Sequence, residues 1–147
     1  MNKPCIIAVD FDGTIVEHNY PEIGKPIPFA IETLIQLQRE GHRLLLWSVR
    51  EGHLLQDALD YCSERGLLFF AANENYPGED RSKAPRKLIA DIFIDDRNLG
   101  GLHDWGVIYH AIKNMEQGVN NRDSVTKQYN YQEKAGKRKK FFFFKKH

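Results

Sequence analysis

Long apolar runs are missing from this chain, and so are the motifs that cysteine builds. No window of the 147 residues approaches the run of about 20 apolar residues that a membrane-spanning helix requires. The polar N-terminus has neither the basic nor the apolar region of a secretory signal. Both absences predict a cytoplasmic protein with no membrane partner. The two cysteines, Cys5 and Cys62, have no Cys-x-x-Cys spacing, so neither a zinc site nor a disulfide framework is expected. They read as small core residues. Internal repeats are also absent, and His18, His42, His53, His103 and His110 are scattered without ligand spacing, which reads as surface or helix positions. A chain that is 41% apolar and 28% charged has the make-up of one soluble globular domain with a single core.

A formal charge of +1 conceals two opposite halves. Residues 1–126 hold 13 Lys and Arg against 19 Asp and Glu, a net of −6, whereas residues 127–147 hold 8 against 1, a net of +7. From Val119 onward neither helical nor strand periodicity is present, and the chain closes on Lys-Arg-Lys-Lys-Phe-Phe-Phe-Phe-Lys-Lys-His. The expected organisation is therefore a folded domain over 1–118 and a basic, disordered tail over 119–147. The tail reads as a solvated appendage, with nucleic acid as the alternative partner.

Within the body, strand-like and helix-like segments alternate. Residues 5–9 form a short apolar, β-branched run suited to a central strand covered on both faces. Residues 13–28 contain Gly and Pro and keep no period, predicting a loop or small flap. A helix is expected over 28–40 (Ile31, Leu34, Ile35, Gln38), stopped by Gly41, and then a strand over 43–47. The next helix carries Leu55, Ala58, Leu59 and Cys62 at i, i+3, i+4, i+7 and closes at Gly66. A strand over 67–71, with Phe69 and Phe70 as a buried pair, precedes a loop over 73–81, a turn or brief helix over 82–90 and a last strand over 91–94. Trp47 and Trp105 read as core aromatics. Asp104 is a candidate N-cap for a helix over 105–117 that ends at Gly118. This alternation argues for an α/β fold with a parallel sheet and helices on both faces.

Acids collect where two of those strands end. The first runs into Asp10-Phe11-Asp12-Gly13-Thr14, and the last into Asp95-Asp96. In an open α/β sheet the carboxyl ends of the strands face the ligand crevice. A bend at Gly13 would give Asp10 and Asp12 different tasks, one acid approaching phosphorus or a metal and the other moving a proton. Four acids gathered there would repel one another without a cation. Between them come Ser48 and Arg50 beyond the second strand, then Lys83 and Lys87.

Acid-x-acid-Gly-Thr, then a hydroxyl, then Lys, then a strand ending in Asp-Asp, resembles the haloacid dehalogenase (HAD) superfamily of phosphohydrolases, over roughly residues 5–117. The resemblance implies a three-layer Rossmann-like sheet with strand order 4-1-2-3. It makes Asp10 the nucleophile that forms an aspartyl-phosphate, and Asp12 the group that protonates the leaving alcohol and then activates water. Mg²⁺ would be held by Asp10, the Asp12 backbone carbonyl and Asp95, with Asp96 acting through a water or exchanging roles with Asp95. Ser48 would hydrogen-bond the transferring phosphoryl group, and Thr14 would fix the loop. Arg50 would either fork onto phosphate or anchor its loop, and Lys87, with Lys83 as the alternative, would neutralise Asp10 and phosphate. Spacing leaves no room for a large cap domain. For capless members of the superfamily this implies a large phosphorylated substrate or a neighbouring subunit that closes the site. A nucleotide monophosphate is a further candidate, since Ile-Asp-Asp-Arg resembles the corresponding segment of small deoxyribonucleotidases. Two rivals use similar parts: a receiver-like signalling domain, whose acids, hydroxyl and Lys come in another order, and a non-catalytic phosphate-binding relative acting through its tail.

Overall fold

A computed structural model of the chain describes residues 3–144. Its contacts divide the chain into two compact units, Pro4–Leu102 and a unit built from His103 onward.

In the first unit, β1 (Ile6–Val9), β2 (Arg43–Leu46), β3 (Ala71–Ala72) and β4 (Ile92–Ile94) form one all-parallel sheet in the order β3-β2-β1-β4. This is an α/β fold with helices around the sheet, no large cap, and the predicted strand order. β1 pairs with β2 (Val9 opposite Leu46) and with β4 (Val9 opposite Ile94), so residues 10, 47 and 95 emerge side by side. The all-apolar reading of the central strands holds: Ile7, Ala8, Val9 and Leu44 to Leu46 are buried. On one face Ala8, Leu45, Ala71 and Phe93 stand in register across all four strands, and Leu88 and Ala90, from the irregular segment before β4, cover them. The helices α1 (Ala30–Arg39) and α2 (Gly52–Ser63) fall where periodicity put them, with Ile31 and Leu34 buried in the first and Ala58 and Cys62 in the second. Both cysteines are free thiols, and burial pushes that of Cys62 up to about 12.

The expected strand over 67–71 shrinks to Ala71–Ala72. Its first apolar residue belongs to the end of α2, where Gly66 adopts φ +85° and the Leu67 N–H donates to the Cys62 carbonyl at 3.0 Å, closing a Schellman turn with Leu67 as its apolar plug. Nor is the Phe69-Phe70 pair buried. Phe70 is 40% exposed and lies beneath the Arg43 guanidinium, 4.1 Å from the ring centroid.

In the second unit, α3 (Trp105–Glu116) begins where expected: the Asp104 carboxylate accepts from the Gly106 N–H at 2.8 Å. The expected disorder beyond Val119 is corrected by α4 (Asn121–Phe144). Asn120 starts it, its Oδ1 accepting from the Asp123 N–H at 3.0 Å. Gln, Glu, Lys, Ala and Arg then supply helix propensity, and Lys137 pairs with Glu133 at 2.9 Å one turn away. The Asn114 side-chain amide donates to the Ser124 carbonyl at 3.0 Å, joining α3 to α4.

Candidate metal and phosphate site

Neighbouring strand ends bring three carboxylates together. Asp10 follows β1, and its N–H donates to the Ile94 carbonyl of β4 at 3.0 Å. Asp95 and Asp96 follow β4. One oxygen from each of Asp10, Asp95 and Asp96 lies within 4.8 Å of the others.

Thr14 fastens this cluster. Its hydroxyl donates to Asp10 Oδ2 at 3.0 Å, lies 3.4 Å from Asp96 Oδ1, and accepts from the Asp96 N–H at 3.1 Å. The chain reaches that position through a tight bend in which the Thr14 and Ile15 N–H groups both return to the Phe11 carbonyl. Gly13 makes the bend with φ +83°, and a Cβ built there would fall 2.2 Å from Asp96 Oδ2. The glycine thus serves both the backbone turn and the close approach of the acid.

Such crowding shows in the protonation of Asp10. Burial, then the Asp95 charge, then a hydrogen bond to Asp96 push its carboxyl from 3.8 up to about 7, against the opposing hydrogen bonds from Thr14 and the Phe11 backbone. A shared proton or a cation between carboxylates this close would relieve their repulsion. The donor set is all oxygen, which suits a small hard divalent ion, so the residues present fit the Mg²⁺ expectation chemically.

Asp12 and Arg50 form a different unit. Arg50 is fully buried, and its guanidinium forks onto Asp12, with Nε 2.8 Å from Oδ2 and Nη2 2.7 Å from Oδ1. Its other N–H groups donate to the carbonyls of Pro21 (3.0 Å) and Glu22 (2.9 Å), and Nη1 also lies 3.5 Å from the Leu54 carbonyl. The hydrogen bond to Asp12 raises the Arg50 pKa further. Phosphate binding by Arg50 is therefore corrected to the other reading of this residue, an anchor. It fastens Asp12 to the segment 13–27, which forms the expected flap: Val16 bridges to Pro26, and the Glu17 N–H donates to the Lys25 carbonyl at 2.7 Å.

A cavity of about 230 Å³ opens over the cluster, lined by Asp10, Asp12, Trp47, Ser48, Asp95 and Arg97 together with His18 and Val49. Ser48 lies on its wall as expected. Its Oγ accepts from the Arg50 N–H at 3.1 Å and keeps its own O–H to donate. The lysines do not reach it. Lys83 is exposed, 3.9 Å from Asp80, and Lys87 is exposed with Nζ 4.9 Å from the Phe93 ring centroid, so neither takes the phosphate-site place expected of it. Trp47 is half-buried, packing against the core cluster of Ala8, Leu45, Ala71 and Leu88 and also lining the cavity wall.

Sequence reasoning missed two residues. Arg97 and His18, 3.5 Å apart, are the basic side chains on the cavity wall among the described residues. The signal for Arg97 was its place directly after the Asp pair; nothing marked His18. Asn73, at φ +54°, clamps the Ser48–Arg50 turn, its Oδ1 accepting from the Ser48 N–H at 2.8 Å and its Nδ2 donating to the Arg50 carbonyl at 3.0 Å.

Comparison with protein-family models and with curated proteins gives no match. Among solved structures, a conserved protein coded by a locus of Bacteroides thetaiotaomicron is 62% identical, covering 77% of this chain and 93% of its own, with a TM-score of 0.74. The chain belongs to the family of that Bacteroides protein. Membership in the Bacteroides family carries the α/β fold, while the chemistry must be argued from the residues themselves.

Proposed function

We propose that the protein is a Mg²⁺-dependent phosphomonoester hydrolase of the HAD type, working through an aspartyl-phosphate on Asp10. The observation that carries this reading is the convergence of Asp10, Asp95 and Asp96 from two remote segments, with Asp10 held protonated up to about 7. When bound, the cation supplies charge neutralisation for phosphate oxygens and carboxylates alike. Deprotonated Asp10 attacks phosphorus, the bond to the leaving oxygen breaks, and that oxygen takes a proton. Water then attacks the phosphorus of the acyl phosphate, releasing phosphate and returning Asp10. Ser48 donates its hydroxyl to a phosphoryl oxygen, and Arg97 offers a charge on the same wall.

Asp12 is the acid and base of this scheme after release from Arg50. Both its oxygens accept from the guanidinium, and protonating either one weakens that fork. Arg50 also holds the flap carbonyls of Pro21 and Glu22, so freeing Asp12 and moving the flap are one event. The same pairing favours a second reading, a non-catalytic phosphate-binding domain in which Asp12 is purely structural. Multiple turnover of p-nitrophenyl phosphate with Mg²⁺, abolished by D10N, distinguishes the two. Failure to hydrolyse any member of a phosphomonoester panel would overturn the phosphatase reading.

A further inference from the structure

Four basic residues crowd into seven positions, Arg81, Lys83, Arg86 and Lys87, with no acid among them, in a body that is otherwise net negative. The structure sorts them into two pairs. Lys83 lies by Asp80, and Lys87 covers Phe93. Arg81 and Arg86 are exposed with no hydrogen-bond or ion-pair partner among the described residues, and both line a second cavity of about 310 Å³.

That cavity adjoins the first one, since Trp47 and Ser48 line both. Pro85 and Leu88 give it an apolar side. Of its two acids, Glu79 is engaged by the Asn75 backbone N–H at 2.9 Å and by the Asn75 amide, which leaves Glu51 to accept from a hydroxyl. A phosphoryl group on Asp10 would have Ser48 and Trp47 at its side, so the organic portion of the ester has a path over Trp47 toward the two arginines. Their planar forks match carboxylate and phosphate oxygens, and the second cavity has the scale of a small ligand rather than a macromolecular surface.

We infer that this second cavity is a leaving-group subsite for small hydroxylated phosphomonoesters bearing a second anionic group, a carboxylate or another phosphate, held by Arg81 and Arg86. The inference rests on the phosphatase reading above.

Matched pairs test it: 6-phosphogluconate against glucose 6-phosphate for the carboxylate, and fructose 1,6-bisphosphate against fructose 6-phosphate for the second phosphate. The doubly anionic member should have a kcat/KM roughly tenfold or more higher, the scale of a charge-assisted contact. The R81A/R86A variant should erase that ratio, while K83A, which removes a charge outside the cavity, should keep it. Equal kcat/KM within both pairs, or loss of the ratio in K83A as complete as in the double variant, overturns the subsite. If no phosphate ester, p-nitrophenyl phosphate included, is hydrolysed, the phosphatase reading fails by itself. Calorimetric titration of 6-phosphogluconate in Mg²⁺ then decides the subsite: binding lost in R81A/R86A supports it, and binding absent or unaltered overturns it.

Discussion

Replacing Asp10 by Asn should stabilise the metal-free protein at alkaline pH. An unfolded Asp carboxyl ionises near 3.8, whereas folded Asp10 keeps its proton up to about 7 because it is buried beside Asp95 and Asp96. Between those values the folded chain binds more protons than the unfolded one. The stability this confers is fully present below pH 3.8 and is lost as pH rises through 7. At 1.36 kcal/mol per pH unit the interval corresponds to about 4 kcal/mol. Asp10 is only half-buried, and solvent screening reduces this to about 2 kcal/mol. D10N removes the charge and keeps the shape: its amide oxygen accepts from Thr14, and its NH₂ donates to Asp96 where the shared proton lay. In EDTA at pH 8 the variant should melt about 4–8 °C above the native protein, with the gap closing near pH 4. In Mg²⁺ the native protein should recover that deficit, while D10N responds weakly. A scanning-calorimetry series over pH, with and without Mg²⁺, reads all of this. A D10N protein no more stable than native at pH 8 in EDTA would refute the reasoning, because the three carboxylates would then impose no strain for a cation to relieve.

Mg²⁺ affinity should rise about tenfold per pH unit below pH 7 and level off above it, since the ion must displace the Asp10 proton; titration calorimetry in buffers of different ionisation enthalpy counts the proton released. Gly13→Ala should cost about 1–2 kcal/mol for the left-handed backbone and weaken Mg²⁺ binding more than stability, because the new methyl meets Asp96 before anything else; unchanged affinity would remove Gly13 from the site. Arg50→Ala should cost about 3–5 kcal/mol in urea unfolding, as it strands Asp12 in the interior. It should also free the flap to limited proteolysis within residues 18–23, and Arg50→Lys, unable to fork, should recover only part of either effect.

How far the sequence reached can be judged from the flap and its anchor. The two acid-bearing strand ends were legible because they are written locally, as apolar runs of strand length that each end in Asp, whereas the strand order came from the family resemblance. Leu67 and Phe70 were misplaced because apolar character does not distinguish a strand from a helix-capping plug or a surface ring stacked on Arg43. The helix after Asn120 was missed for the opposite reason. It carries propensity without an apolar stripe, and only the stripe was sought. The lysines were placed by the family resemblance, through their order along the chain, a one-dimensional measure that says nothing about which side of the strand a loop crosses. Arg50 is the most telling residue. Its type and position fitted a phosphate ligand, and no local pattern could reveal that Asp12, 38 residues earlier, and two flap carbonyls between them would consume its donors. Long-range satisfaction of a buried cation is decided by the fold as a whole. For that reason, the link from Asp12 through Arg50 to the flap carbonyls follows from the structure and could not have been stated before it.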